Sequence, residues 1–492
     1  MRSVLRELAS KGFVYGLGTS FSGLVSLLLI PFLTHELTAA EYGRYAIAEM
    51  MLSLLLVVSG LGMNVVILAR YPSVPVAERD RFFGSILSFM VPSAIALAAL
   101  FLGIAGFGGG KVAPVLDTRL LYLIAGISAL ESTWLLFATL YRAQGRAWLY
   151  IGASALQGTV ALVSTVYLIL RKGYRDEGIL VGRLLADAVL IGLVLLPQMS
   201  RYRPNWDPRV ARALLRIGLP LIPATFSSMW VLTSPRYFIE WYGSVTDVGV
   251  FAMSSKIAGI LQLLFVQPFA MAWMVSIFTI FKRPDAERIY ARVLTYYVLV
   301  GTTAALTIGL LGEVLVPVLA RQRFPLSPAI ICIIALAQVA SGLMYPLNVG
   351  PYVLEQTSKV TPVFVASSLL ITVLGIAIVP RWGAIGAALA LLLVYLVQAL
   401  LLAGVSQKLY PISHEARRLP KVLGSLGGAF VIATVFREQA SSRLATWLSV
   451  PLFLALAILL LIATRFPNQG EVAGLRAAFQ QVRRWQLGSD LP

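Results

Sequence analysis

The stretch from Gly12 to Ala46, GFVYGLGTSFSGLVSLLLIPFLTHELTAAEYGRYA, returns in altered form halfway along the chain. A shift of 206 positions puts Gly12 on Gly218, Phe32 on Phe238, Glu41 on Asp247, Gly43 on Gly249, Tyr45 on Phe251 and Ala46 on Ala252. The corner after each apolar run therefore reads acidic-x-Gly-x-aromatic-Ala both times. A long apolar segment and its corner, restated at mid-length, predict a chain built as two similar halves.

Those halves belong in a membrane. Of 492 residues, 58% are hydrophobic and 13% charged, against about a quarter charged in soluble domains, and the mean hydropathy is +0.83. A bilayer core takes about 20 apolar residues per helix, and the chain divides into about fourteen such spans. Spans one to six are expected at roughly 13–33, 44–69, 82–106, 119–141, 147–170 and 178–197. Spans seven to twelve follow at roughly 213–234, 247–280, 290–319, 325–350, 360–379 and 384–407, and the last two at roughly 421–437 and 446–464. The basic, proline-containing connection SRYRPNWDPRVAR marks the boundary between halves. The predicted fold is an all-α polytopic membrane protein: an N-lobe over 1–200, a C-lobe over 201–410, and an appendage over 411–492 with two further spans and a tail. An even number of spans per half gives the halves the same orientation, a parallel repeat about the membrane normal.

The formal charge of +18 suggests nucleic acid, but its distribution does not. Lys and Arg divide about two to one in favour of the loops on the side of residue 1, which assigns that side, and both termini, to the cytoplasm. The apolar part of the N-terminal segment ends without a small-x-small cleavage site and reads as a retained span. Residues 1–11 and the tail beyond Arg465 alternate apolar and basic residues at helical spacing and are expected to lie on the inner leaflet. With Cys332 as the single cysteine, a disulfide framework is excluded, and His35 and His414 read as loop residues.

Enzyme signatures fail one by one. Gly108 to Lys111 reads GGGK, but a phosphate loop needs glycine where Ala105 stands and Ser or Thr where Val112 stands. His35-Glu36 lacks the second histidine of a zinc protease helix, and the loops are too short to house a transferase site. We assign no catalytic residue, metal or cofactor. The chemistry lies instead in charges at bilayer depth, each costing roughly 2.5 to 3.5 kcal/mol on insertion scales and usually facing a cavity or a partner. Five stand out: Glu49, Glu131, Arg183, Asp187 and Lys256. Arg183 and Asp187 are four apart on one helical face, either an internal ion pair or part of a path. Lys256 lies roughly 14 Å into its span at 1.5 Å per residue, with no carboxylate four residues away. Glu131 is a candidate proton or cation site, with Asp187 and Glu49 as further coupling candidates. Prolines 31, 92, 220, 223, 268 and 346 are potential hinges or packing kinks.

With these residues in place, the chain resembles the Wzx-type polysaccharide repeat-unit flippases of the multidrug/oligosaccharidyl-lipid/polysaccharide (MOP) exporter superfamily. PFLTHELTAAEYGRYA is similar to that family's opening motif, and GLPLIP at 218–223 with SPRYFIEWYGSVTDVGVFAMSSKIAGIL is similar to its second-half motif. WGAIGAALALLLVYLVQALLL at 382–402 fits as well. The resemblance implies two six-helix lobes around a cavity that opens alternately to either side. It further implies cations that receive the diphosphate of an undecaprenyl-linked oligosaccharide: Lys256, Arg236 and Arg142 by position, with Arg183 beside them. Where relatives often carry an acidic residue this chain has Pro235, which removes a local partner for Arg236. The implied protein is a cation-gradient-coupled flippase of the bacterial inner membrane, handling O-antigen or exopolysaccharide units beside a polymerase and a chain-length regulator, with membrane lipid and no nucleic acid as its surroundings. The competing readings are a multidrug antiporter of the same superfamily, a membrane glycosyl or acyl transferase, and a non-transporting scaffold. Trp230, Tyr237, Trp241 and Trp273 are candidates either to stack on sugars or to form an interfacial belt.

Overall fold

A computed structural model describes residues 29–107, 115–320, 324–440 and 443–466. Most of the first span, the GGGK turn and both amphipathic ends lie outside the described residues. Within them the chain is helical, and twelve helices are long and apolar enough to cross a membrane. We label the main ones α1 (Ala39–Gly60), α2 (Arg79–Phe107), α3 (Thr118–Ala143), α4 (Ala147–Lys172), α5 (Asp176–Leu190) and α6 (Ile222–Tyr242). They continue as α7 (Val245–Leu261), α8 (Ala286–Ala320), α9 (Pro328–Gly342), α10 (Thr361–Leu409), α11 (Leu419–Ala440) and α12 (Arg443–Ala463). At 49 residues α10 is two spans, joined where Gly383 leaves helical geometry. With α10 counted as two and the first span set aside, the expected series of about fourteen is accounted for.

The packing repeats as the sequence does. In the first half α3 packs on α1, α2 and α5, and in the second α9 packs on α7, α8 and α10. Helices α11 and α12 pack on each other and on α8, the appended pair expected from the sequence. Three expected boundaries move. Span two is interrupted after Gly60, where Leu61 and Gly62 have positive φ before a short helix Met63–Arg70. Span seven runs on to Tyr242, so Arg236 lies inside a helix and not at its end. Span ten stops at Gly342 and breaks into short turns around the buried Asn348.

The repeated corner has a local cause and a tertiary one. Thr38 caps α1, accepting from the Glu41 backbone N–H while the Glu41 carboxylate accepts from the Thr38 N–H, a full capping box. At the equivalent positions Ser244 caps α7 by accepting from the Asp247 N–H. The acidic residue of the motif is thus the third residue of a capped helix in each copy. The glycine serves the crossing of α1 over α7. A Cβ on Gly43 would collide with the Val245 carbonyl, and a Cβ on Gly249 with the Ala39 carbonyl. Ala39 and Val245 are themselves 206 apart. The contact is therefore reciprocal about a local two-fold axis, the arrangement expected where two copies of one element meet. The largest buried apolar cluster follows this seam, joining Leu33, Ala46 and Ile47 of the first half to Val248, Phe251 and Ile257 of the second.

The ends of the helices are tied on both sides. On the corner side Arg44 bonds Asp176 at 2.7 Å and Arg175 reaches Glu41 at 3.2 Å. On the other side Arg201 bonds Asp80 at 2.7 Å and the Gln144 amide donates to the Tyr71 hydroxyl at 2.8 Å. These pairs keep the two faces that the alternation of spans requires.

Candidate functional site

The deep charges converge from five helices onto the seam between halves. At 1.5 Å per residue, Glu49 lies about 15 Å beyond the start of α1, Lys256 about 16 Å into α7 and Asp187 about 16 Å into α5. Arg236 enters from α6, about 9 Å short of its end. Its Nη1 donates to Glu49 Oε2 at 3.2 Å and to the Ala46 carbonyl at 3.3 Å. The local partner that Pro235 cannot supply is thus replaced by a carboxylate of the opposite half. Tyr45, one helical turn before Glu49, donates its hydroxyl to Glu49 Oε1 at 3.2 Å. The Lys256 ammonium stands 5.9 Å from the centroid of the Tyr42 ring, and Lys256 and Arg183 both lie within electrostatic reach of Glu49.

The second part of the cluster lies wholly in the first half. Arg183 Nη2 donates to Glu131 Oε1 at 2.7 Å, joining α5 to α3. Of the two readings left open for Arg183 and Asp187, the ion pair between them is not formed: four-residue spacing puts both on one face, but Arg183 reaches across the helix packing to Glu131. Asp187 instead accepts from the Gln157 amide of α4 at 2.6 Å. Asp187 has no solvent exposure, yet its Oδ2 has no hydrogen-bond partner among the described residues, and neither do Glu131 Oε2 and Arg236 Nε. Buried polar atoms are normally paired, so three such atoms in one cluster mark a place for water, an ion or a ligand group.

Three carboxylates and three cations share this region: Glu49, Glu131 and Asp187 with Arg183, Arg236 and Lys256. Arg142 does not join them. It lies at the end of α3, about 16 Å along the axis from Glu131, exposed, bonded to the Ala138 carbonyl and Thr139 Oγ1 and facing the Tyr150 ring at 5.8 Å. Among the aromatics, Trp273 is buried with its Nε1 donating to the Tyr345 carbonyl, a packing role. Trp230 donates to Thr372, and Trp241 is exposed with its ring edge-on to Tyr237. Charge alone picked out neither Tyr42, Tyr45 nor Gln157. The available signals were the four-residue spacing from Tyr45 to Glu49 and a lone amide in the apolar run of α4.

No protein-family model and no curated protein sequence matches the chain. Solved structures do match. The lipid II flippase MurJ, in an inward closed conformation, aligns with a TM-score of 0.73 at 12% identity, over 92% of this chain and 99% of that one. An inward-facing multidrug resistance MATE family transporter of the MOP superfamily aligns with a TM-score of 0.62 at 12% identity, over 78% of this chain and 94% of that one. The Vibrio cholerae MATE transporter VcmN gives 0.58 at 14% identity, over 82% and 97%. At these identities the likeness is one of architecture: the chain has the two-lobed helical fold seen in MurJ and in MATE transporters.

Proposed function

We propose that the protein is a flippase that carries undecaprenyl-diphosphate-linked oligosaccharide units across the bacterial inner membrane by alternating access, with residues 1–200 and 201–410 as its moving lobes and both termini in the cytoplasm. The observation that carries this reading is the Arg236–Glu49 contact across the seam, with Lys256 at similar depth and outside ion-pair distance of any carboxylate among the described residues. A diphosphate offers about two negative charges and several acceptor oxygens, and charge-assisted bonds to Arg and Lys are about twice as strong as neutral ones. In the cycle we envisage, the diphosphate displaces Glu49 as the partner of Arg236, Lys256 completes its cradle, and the freed contact lets the lobes separate. The isoprenoid tail stays in lipid, while Trp230, Tyr237 and Trp241 offer faces on which sugars can stack.

The Glu131–Arg183 pair and the Asp187–Gln157 bond form the coupling set. A cation or proton arriving at the unpartnered oxygens of Glu131 and Asp187 alters the hold on Arg183, and through it the field at Glu49. With three carboxylates balanced by three cations, the cluster is not the net acidic cavity that would suit the cationic cargo of a drug antiporter.

In a strain lacking the gene, Lys256→Ala and Arg236→Ala are expected to reduce surface polysaccharide at least tenfold relative to the wild-type chain, while both proteins still reach the membrane. Normal polysaccharide from both variants would sink the cationic-cradle mechanism. Coupling is tested in proteoliposomes, where flipping indifferent to both pH and sodium gradients would remove it.

A further inference from the structure

Away from the seam cluster, the face of the protein that the Lys and Arg distribution assigns to the cytoplasm carries a cavity of about 350 Å³, within the roughly 300–1,000 Å³ usual for small-ligand sites. Five guanidinium-bearing residues line it: Arg70, Arg81, Arg209, Arg212 and Arg216. Two carboxylates, Glu78 and Asp207, stand against them, and Asp207 is engaged locally, accepting from the Arg209 backbone N–H at 2.8 Å. The Arg side chains are exposed, and none is in an ion pair among the described residues. Five cations gathered in one concavity repel one another, and the arrangement is relieved when an anion enters.

The walls come from both halves. Arg70 and Arg81 flank the connection between the first half's second and third spans, and Arg209 to Arg216 lie where the linker enters the second half. Beside the cavity Gly62 packs directly on the Gly218 backbone, a contact that leaves no room for a Cβ. Phe82 and Ile217 add an apolar wall. Arg216 is separated from Arg236 by about 30 Å of helix at 1.5 Å per residue, so the cavity is distinct from the transport cluster.

We propose that this cavity binds a phosphate-bearing anion and that the bound anion clamps the two halves together at this face. Guanidinium groups match phosphate oxygens in fork geometry, and basic pockets at the ends of membrane helices on the cytoplasmic side suit lipid headgroups. The same chemistry is offered by an anionic phospholipid of the adjoining leaflet and by a soluble diphosphate. An acyl chain would lie along Phe82 and Ile217; a soluble ligand would use the cations alone.

The test uses the purified full chain in neutral detergent and two probes, phosphatidylglycerol followed by native mass spectrometry and inorganic diphosphate followed by titration calorimetry. At about 1 kcal/mol per basic residue and 1.4 kcal/mol per tenfold, Arg212→Ala/Arg216→Ala is expected to weaken binding on the order of 30-fold. Arg212→Lys/Arg216→Lys should retain most of the affinity, Glu78→Gln should tighten it, and Arg171→Ala/Lys172→Ala on the opposite face should change nothing. Loss confined to the lipid probe supports the site and identifies a headgroup; loss confined to diphosphate supports it and identifies a soluble ligand. Failure of both probes to bind the wild-type chain, or equal binding to wild type and the double alanine variant, overturns the proposal. Because binding is read without transport, these outcomes stand whatever the protein carries.

Discussion

Glu49 is the residue on which the two halves meet electrically. It accepts from Tyr45 on its own helix and from Arg236 across the seam, and its side chain remains 34% exposed while that of Arg236 is 17% exposed. Partial access to water lowers the cost of separating the pair, which suits the cycle proposed above, in which this contact breaks. The two residues should therefore behave as one unit. In a double-mutant cycle with Arg236→Met and Glu49→Gln, the double variant is expected to lose less stability than the sum of the singles, by roughly 0.5–3 kcal/mol. Thermal unfolding of the solubilised protein measures this, and strict additivity would show that the 3.2 Å contact contributes nothing. Lys256 and Glu49 were legible as deep charges because a charged side chain is conspicuous in an apolar run. Their neighbours Tyr45 and Gln157 were not, because a tyrosine or a single amide is unremarkable there until a partner is seen.

At the scale of elements, the crossing of α1 over α7 is the joint of the molecule. It depends on two glycines for which no other side chain leaves room, since each faces a carbonyl of the opposite helix. Gly43→Val and Gly249→Val are each expected to cost about 1–3 kcal/mol by overpacking. Because both distort the same reciprocal contact, the second substitution should add less than the first, and melting temperatures of the two singles and the double would show it. A cap acts within three residues, so Thr38 with Glu41 and Ser244 with Asp247 are local signals, although hydropathy and repeat spacing passed over them. The extents of the helices were less readable. Span seven was expected to end at 234, but α6 passes through Pro235 to Tyr242, because a helix packed on neighbours tolerates the lost hydrogen bond. The break after Gly60 lay hidden in an apolar run whose composition is the same on both sides of it.

For the whole molecule, the reciprocal crossing and the Gly62–Gly218 contact close the halves on opposite faces, with the charged cluster between them. If transport requires the corner-side contact to open, then locking it should stop the cycle. Tyr42 and Phe324, whose rings lie 6.1 Å apart across the halves, offer the site: Tyr42→Cys/Phe324→Cys, bridged through two disulfides by a short bis-methanethiosulfonate spacer, is expected to abolish the proposed flipping and to recover it on reduction. The single native cysteine, Cys332, is buried and should not interfere; undiminished flipping by the bridged protein would show that the contact need not open. The amino-acid sequence by itself determined the membrane-spanning class, the approximate series of spans and the two-fold repetition. These follow from hydropathy, length and spacing, which are local properties. The tertiary structure decided that Arg183 pairs with Glu131 and not with Asp187, that Arg236 pairs with Glu49, and that Arg142 stands apart. It also decided that five arginines from two distant segments share one cavity. Pairing and convergence depend on which helix faces lie against each other, and that is settled only when the repeated glycines bring α1 and α7 into contact.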